Sequence, residues 1–309
     1  MKSVPFAGDT APAVIAGMMR IPDKTDAEVR ELYDTARASG IDFFDHADIY
    51  GGAMHVCEDR FASALQLSAS ERDEITLQTK CGIVPAEQMF DFSYEHIVAQ
   101  VEGSLKALRT DHIDVLLLHR PDALVEPEEV ARAFDELEAA GKVRSFGVSN
   151  HTPRQIDLLR TAVTQPLVAN QLQLSITHSP IIAQGVAANM SGEEQSVVRD
   201  GGGIVEYCRI NGITIQAWSP FQGGFFDGVF LGNEKYAELN AVLDRLAAKY
   251  RVEPIAIATA WITRHPAHMQ VVLGTTTPQR VADAAAGADV VLTRGEWYEL
   301  FRTAGHIVP

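Results

Sequence analysis

The sequence predicts an α/β fold, a (β/α)8 TIM barrel, formed as one domain by residues 1–309. Eight short apolar runs alternate with longer amphipathic segments, which is the order expected of repeating strand–helix units. Most runs carry apolar side chains on both faces, as do the strands of a buried parallel sheet. The length of 309 residues accommodates the about 250 that such a barrel uses. An open doubly wound sheet is the competing architecture, and the strand count and chain length favour the barrel.

Strand and helix patterns follow one another along the chain. The strand candidates are residues 14–16, 41–45, 75–79, 113–118, 143–148, 167–170, 213–217 and 271–273. Helical patterns lie between them at 25–39, 57–66, 94–109, 126–140, 153–162, 203–211, 235–250 and 278–286. Gly40, Gly141 and Gly212 each follow a helical pattern and precede a strand, where glycine commonly ends a helix. Two further helices, near 253–264 and 294–304, are expected as additions to the barrel.

One segment, residues 187–203, does not fit this repeat. It is polar, glycine-rich and weakly patterned, with the sequence AANMSGEEQSVVRDGGG. A loop of this length in a compact domain is usually either functional or disordered. We expect a surface excursion from the barrel, with a functional loop as the alternative.

Composition excludes several classes of protein. The 26 basic and 41 acidic side chains give a net charge of −15, which argues against nucleic-acid and membrane partners because both require a basic surface. The three cysteines form neither a disulfide framework nor a zinc-binding pair. The most apolar stretches are far shorter than a bilayer span. We therefore expect a cytoplasmic protein that acts on a small molecule, and the oligomeric state stays open.

Polar side chains follow the strand candidates at the end where barrel enzymes carry their chemistry. These side chains are Asp45 with Tyr50 in the following loop, Lys80, His119, Ser149 with Asn150, Gln171, Trp218 with Ser219, and Gly274 with Thr275. Each alone has a structural explanation: a lysine can be a solvated strand end, an aspartate can cap a turn, and a histidine can be hydrogen-bonded in a core. Their common position at one rim predicts a site.

Four of these residues permit a specific reaction. A phenol such as Tyr50 is a weak acid, with an ordinary pKa of about 10. An ammonium about 4 Å away stabilises its anion by roughly 4 kcal/mol at an effective dielectric of about 20. Lys80 can supply that ammonium if Asp45 keeps it charged, and a neutral His119 can donate a hydrogen bond to a carbonyl oxygen. The set predicts proton donation to a developing alkoxide, as in a reductase.

A reductase of this kind needs a hydride from a cofactor, because no side chain supplies one. No G-x-G-x-x-G segment opens a helix after a strand, so a Rossmann site is not expected. Trp218 can stack on a nicotinamide ring, and Ser149, Asn150 and Gln171 can bind its carboxamide. The segment GTTTPQR at 274–280 begins a helix and ends in Arg280, which together suit a phosphate group.

At these residues the chain resembles the aldo-keto reductase superfamily, over residues 14–309. The segments FFDHADIYGG, TKCG, LLLHRPD and FGVSN are similar to the family's aspartate–tyrosine, lysine, histidine and serine–asparagine motifs. HADIYGG, KCGI, HRPD, AWSPF and TRGEWYELFR are similar to bacterial YdhF-type oxidoreductases. The resemblance implies a barrel that binds NADPH and reduces carbonyl groups without a metal.

The same resemblance assigns roles by position. It implies that Tyr50 is the general acid, Lys80 adjusts its pKa, Asp45 pairs with Lys80, and His119 orients the substrate. The implied cofactor-binding residues are Gly17, Met18, Ser149, Asn150, Gln171, Trp218, Ser219, Pro220, Phe221, Gly274, Thr275, Thr276, Arg280 and Asp283. The expected cofactor pair is NADPH/NADP+, with NADH possible because Gly274 stands where many members carry lysine.

The substrate is expected to be an aldehyde or ketone with apolar or aromatic character. The candidate pocket residues are Met19, Ile49, Phe90, Phe92, Phe225 and Phe226. Three other functions stay open. They are a Schiff-base lyase that uses Lys80 as nucleophile, a metal hydrolase built on Asp45, His46, Asp48 and His119, and a cofactor-sensing regulatory protein with little turnover.

Overall fold

The computed structural model describes residues 1–186, 202–224 and 228–306. An amino-terminal hairpin, β1 Ser3–Phe6 and β2 Asp9–Pro12, precedes the barrel. The barrel strands are β3 Val14–Gly17, β4 Phe43–Asp45, β5 Thr76–Cys81, β8 Ile113–Leu118, β9 Val143–Ser149, β10 Leu167–Gln173, β11 Thr214–Trp218 and β12 Gln270–Leu273. They pair in parallel and close into a barrel in chain order, with β12 next to β3. The predicted (β/α)8 TIM barrel is confirmed.

Helices cover the outside of the barrel. Their bounds are α1 Asp26–Ala38, α2 Val56–Leu65, α3 Ala69–Asp73, α4 Tyr94–Leu108, α5 Pro127–Ala139, α6 Pro153–Leu159, α7 Pro180–Val186, α8 Ile204–Ile210, α9 Ala237–Tyr250, α10 Pro254–Thr263, α11 Pro278–Ala286 and α12 Arg294–Thr303. The additions predicted near 253–264 and 294–304 correspond to α10 and α12. Gly40, Gly141 and Gly212 have φ angles of 80°, 69° and 67°, the left-handed conformation that ends a helix before a strand.

The hairpin β1–β2 was not predicted, and it closes the amino-terminal end of the barrel. Pro5 accepts a hydrogen bond at 3.0 Å from the side chain of Thr214, the first residue of β11. The ring of Phe6 packs edge-on against Phe43, with ring centroids 5.4 Å apart. A second unpredicted ribbon, β6 Ile83–Val84 and β7 Met89–Phe90, follows β5 at the opposite end. With the amino-terminal end covered, a ligand can enter at the carboxyl ends of the strands.

Most of the predicted excursion at 187–203 lies outside the described residues, and Gly203 immediately precedes α8. Among residues 1–186, 202–224 and 228–306, no helix combines the length and apolar character needed to cross a membrane.

Candidate active site

A buried ion pair between Asp45 and Lys80 forms the floor of the site. Asp45 ends β4 and Lys80 lies near the end of β5, the adjacent parallel strand, so the side chains meet inside the barrel. Lys80 Nζ donates to Asp45 Oδ1 at 2.8 Å and to Oδ2 at 2.7 Å. It also donates to the His46 carbonyl at 2.7 Å and contacts the Tyr50 hydroxyl at 3.3 Å. Because the Lys80 side chain is 0% exposed, these groups replace water around the ammonium.

Burial and charge act in opposite directions on Lys80 and Tyr50. Burial disfavours the Lys80 ammonium, but the interactions with Asp45 and Tyr50 together outweigh burial and raise the pKa of Lys80. Burial also disfavours the Tyr50 phenolate, and although Lys80 opposes this effect, the pKa of Tyr50 is raised. The lowering expected from Lys80 alone is thus outweighed by burial. At neutral pH Tyr50 is protonated and Lys80 is charged, which are the states that proton donation requires.

His119 lies beside the phenol at the end of β8. Its backbone N–H donates to the Cys81 carbonyl at 2.9 Å, which fixes the residue against β5. The rings of Tyr50 and His119 are nearly perpendicular, with centroids 5.8 Å apart. Burial, followed by the charges of Lys80 and Arg120, holds the pKa of His119 well below its ordinary value. His119 is therefore neutral and can donate a hydrogen bond from one ring nitrogen.

A layer of buried glutamines supports the Asp45 carboxylate. Gln78 Nε2 donates to Asp45 Oδ1 at 2.6 Å, and Gln171 Nε2 donates to the same oxygen at 3.0 Å. Both amides also donate to Gln216 Oε1, at 2.9 and 3.2 Å, and Gln216 Nε2 donates to Gln270 Oε1 at 3.1 Å. Sequence analysis missed Gln78, Gln216 and Gln270. Each lies on a different strand, so the only signal in the sequence is a polar side chain at an inward-facing position of a buried strand.

Above the ion pair lies a cavity of about 1410 Å³ at the carboxyl ends of the strands. Asp45, Tyr50 and His119 line it, and Lys80 lies beneath them. The sequence-predicted cofactor residues that line it are Gly17, Ser149, Asn150, Gln171, Trp218, Ser219, Pro220, Phe221, Gly274, Thr275, Thr276, Arg280 and Asp283. Met18 does not: it is 1% exposed and packs in the core.

One part of the cavity fits a nicotinamide ring with its amide. Trp218 Nε1 donates to Asn150 Oδ1 at 3.1 Å, which fixes the plane of the indole at the cavity wall. Asn150 Nδ2 donates to Ser149 Oγ at 2.8 Å, and that hydroxyl donates to the Gln171 carbonyl at 2.9 Å. Asn150 and Ser219 have φ angles of 60° and 51°, a left-handed conformation that is rare outside glycine and frequent at functional sites. A flat aromatic face next to ordered amide and hydroxyl groups is therefore present.

Another part of the cavity fits a phosphate group. Residues 274–277 connect β12 to α11, and Thr277, which caps α11, makes no side-chain capping bond to the helix. Arg280 is exposed at the start of α11, where the helix dipole also favours an anion. Arg20 Nη1 donates to the Gly274 carbonyl at 2.8 Å across the seam between β3 and β12. Sequence analysis missed Arg20, which lines the cavity beside this segment.

The expected substrate residues divide into three groups. Met19 and Ile49 line the cavity. Phe90 is 43% exposed on β7, opposite Ile83, which also lines the cavity, whereas Phe92 is 1% exposed and stacks on His151. Phe225 and Phe226 lie outside the described residues. Among the described members of this set, Met19 and Ile49 lie at the cavity wall, and we leave Phe92 out of the pocket.

The four residues suggested for a metal hydrolase do not converge. The Asp45 carboxylate is taken up by Lys80, and the buried His46 ring packs edge-on against Phe61 at 4.8 Å between centroids. In the described ranges, no group of three or more histidine, cysteine, aspartate or glutamate side chains is arranged to hold a metal ion. This geometry gives the hydrolase hypothesis no support.

Asp48 gives a testable pH dependence of stability. Its carboxylate is buried, and burial, followed by the charge of Glu58, raises its pKa to about 7. The native state therefore binds a proton that the unfolded chain releases near pH 4, so stability falls as the pH rises from about 4 to about 7. We expect the free energy of unfolding of the wild type to fall between pH 5 and pH 8.5. In Asp48→Asn this decrease should be roughly 2 kcal/mol smaller, because asparagine does not titrate.

Urea unfolding of both proteins at the two pH values measures this difference. Glu31→Gln, at an exposed carboxylate on α1, serves as the control and should follow the wild type. Equal pH dependence in Asp48→Asn and the wild type would contradict the raised pKa.

Comparisons with known proteins identify the family to which this chain belongs. A model of the aldo/keto reductase family matches residues 13–302. The 6-dehydroglucose reductase of Agrobacterium fabrum is 36% identical over 303 residues, which cover 94% of this chain and 93% of that protein. The oxidoreductase YdhF of Escherichia coli is 34% identical over 279 residues, covering 87% and 85%.

A comparison with solved structures agrees with the observed barrel. The crystal structure of a thermostable aldo-keto reductase, Tm1743, in complex with the inhibitor epalrestat superposes with a TM-score of 0.77 at 22% identity, covering 98% of this chain and 100% of that one. This likeness shows the fold, and the sequence matches show the family, whose members generally use NAD(P)H. Matched over most of its length by the family model and by two oxidoreductases, this chain is an oxidoreductase that belongs to the aldo/keto reductase family.

Proposed function

We propose that this protein is an NADPH-dependent reductase of aldehydes and ketones, and that it oxidises the alcohols when alcohol and NADP+ prevail. One observation carries the proposal: a fully buried ammonium, Lys80, lies between the Asp45 carboxylate and the Tyr50 hydroxyl on the floor of a large cavity. A neutral His119 beside the phenol completes a site suited to a carbonyl oxygen.

The residues act on the oxygen of the carbonyl group. When bound, the reduced nicotinamide supplies the hydride to the carbonyl carbon. Tyr50 donates its proton to the oxygen as negative charge develops there, and Lys80 stabilises the phenolate that remains. Asp45 keeps Lys80 charged, and His119 donates a hydrogen bond that holds the oxygen next to Tyr50. Because Lys80 is already charged and oriented, this stabilisation requires no reorganisation.

We assign each portion of the cofactor to the cavity residues whose chemistry suits it. Trp218 would hold the nicotinamide ring, and Ser149, Asn150 and Gln171 would bind its carboxamide. Residues 274–277, Arg20 and Arg280 would hold the phosphate groups, because they supply backbone N–H groups and positive charge. Met19, Ile49 and Ile83 give the substrate side of the cavity an apolar wall, which suits an apolar or aromatic carbonyl compound.

Arg280 is the residue that favours NADPH over NADH in this proposal. Arg280→Gln removes a charge-assisted bond to the additional phosphate of NADPH, and it is expected to weaken NADPH binding about tenfold. NADH binding should change less than about twofold, because NADH lacks that phosphate. Quenching of tryptophan fluorescence measures both dissociation constants. Equal weakening of both cofactors would contradict the assignment.

A carbonyl panel tests the function itself. Consumption of NADPH with several aldehydes and ketones supports the reductase. Tight NADPH binding without turnover of any compound would favour the regulatory hypothesis. Trapping of a borohydride-stable adduct on Lys80 would favour the lyase.

A further inference from the structure

Arg120 is a cation at the catalytic end of the cavity that the proposed reaction does not use. It follows His119 directly at the end of β8 and lines the cavity, where it is partly exposed. Its guanidinium carbon lies 5.7 Å from the centre of the Trp218 ring. Arg120 therefore lies within the space next to Tyr50, His119 and Trp218 where a substrate must enter.

Within the described part of the chain, the N–H groups of Arg120 have no hydrogen-bond or ion-pair partner. The nearest carboxylate in sequence, Asp122, accepts instead from the backbone N–H groups of Phe92 at 3.0 Å and Leu124 at 2.8 Å. Arg72 shows the usual arrangement, since its buried guanidinium donates to Asp114 at 2.7 Å and to two backbone carbonyls. The weak contact of Arg120 with an indole leaves its planar set of donors available.

The surroundings of Arg120 favour an anionic ligand. Among the described residues, the Asp45 carboxylate at the cavity floor is already paired with Lys80 and so does not neutralise Arg120. Partial burial disfavours an unpaired guanidinium, and it lowers the pKa of Arg120 from its ordinary value. A planar anionic oxygen group from a ligand would satisfy both the charge and the unused donors.

We propose that Arg120 binds a carboxylate of the substrate, so that the preferred substrates are aldehydes or ketones that carry an anionic oxygen group near the carbonyl. The inference rests on the proposed carbonyl reduction and adds the class of substrate. The net charge of −15 does not oppose it, because the interaction is local and distant charges are screened beyond about 8–10 Å. A phosphate presents the same chemistry, and the experiment separates the two groups.

Matched pairs of substrates test the proposal. They are 4-carboxybenzaldehyde with its methyl ester, succinic semialdehyde with its methyl ester, and glyceraldehyde 3-phosphate with glyceraldehyde. For the wild type we expect kcat/KM to be about tenfold or more higher for the carboxylates than for their esters. In Arg120→Gln this preference should disappear, mainly through a higher KM for the acids, while kcat/KM for the esters changes less than about threefold. A preference confined to the phosphate pair would overturn the carboxylate assignment.

Two variants control for charge and geometry. Arg154→Gln removes the same charge at a side chain that is 87% exposed on α6, and it should keep the full preference. Arg120→Lys keeps the charge but loses the planar donor set, and it should keep only part of the preference. Equal turnover of acids and esters by the wild type would overturn the proposal, as would an equal loss on both in Arg120→Gln.

A binding measurement separates this inference from the proposed function. Calorimetric titration of the enzyme–NADPH complex with 4-(hydroxymethyl)benzoate and its methyl ester requires no turnover. Tighter binding of the acid that is lost in Arg120→Gln supports the carboxylate site even if no carbonyl compound is reduced. Equal binding of both alcohols would overturn the site while leaving the reductase proposal intact.

Discussion

Replacing Tyr50 by phenylalanine is expected to lower kcat for carbonyl reduction about a thousandfold, the scale of general acid catalysis. The variant keeps the ring that packs beside His119 and removes only the hydroxyl at 3.3 Å from Lys80 Nζ. Binding of NADPH should change less than about twofold, because Tyr50 contributes to none of the proposed phosphate or carboxamide contacts. Steady-state rates and a fluorescence titration measure the two quantities.

The matched control is Tyr94→Phe, which removes the hydroxyl of a tyrosine on the outside of the barrel, where it donates to the Glu136 carboxylate. Its kcat should equal that of the wild type. Wild-type turnover by Tyr50→Phe would remove Tyr50 from the mechanism. A parallel loss of NADPH binding would show that the substitution damages the site as a whole.

Replacing Lys80 by methionine is expected to affect both stability and rate. It leaves the Asp45 carboxylate buried without its counter-ion, which typically destabilises a protein by about 3–5 kcal/mol. Turnover should fall about a hundredfold or more, because the phenolate of Tyr50 loses the charge that stabilises it. Urea unfolding and steady-state kinetics measure the two effects.

The double variant Asp45→Asn, Lys80→Met separates those effects. It removes the unpaired charge, so most of the stability should return, whereas the turnover should stay low. If Lys80→Met unfolds at the same urea concentration as the wild type, the ion pair does not have the buried character that the structure gives it. Full activity in either variant would contradict the role of Lys80.

The barrel was predictable because its strands are marked locally. Strands β8 and β12 carry apolar side chains on both faces, and Gly40, Gly141 and Gly212 end the helices that precede β4, β9 and β11. The hairpin β1–β2 was not predictable, since its strands have only four residues each and contain Pro5 and Pro12, which disfavour a strand. Its stability comes from contacts such as the one with Thr214, over two hundred positions later in the chain.

The residues of the candidate site at the strand ends were predictable, whereas the buried glutamines beneath Asp45 were not. Asp45, Lys80 and His119 each follow an apolar run, and the fold brings them together with Tyr50, while their roles stay proposals. The contact between Gln78 and Gln216 joins residues 138 positions apart, so it depends on the strand register of the closed barrel. Burial is the largest cause of the raised pKa of Tyr50. Burial depends on the packing of the folded barrel, which the residues next to Tyr50 in the sequence do not reveal.

The pH dependence of a single hydride-transfer turnover tests the central claim, that Tyr50 donates the proton under the control of Lys80. With NADPH prebound, the wild-type rate is expected to be constant near neutral pH and to fall in the alkaline range, as Tyr50 loses the proton it must donate. In Tyr50→Phe the slow residual rate should lack that alkaline decrease. The same alkaline decrease in both proteins would assign the proton to another group and contradict the account.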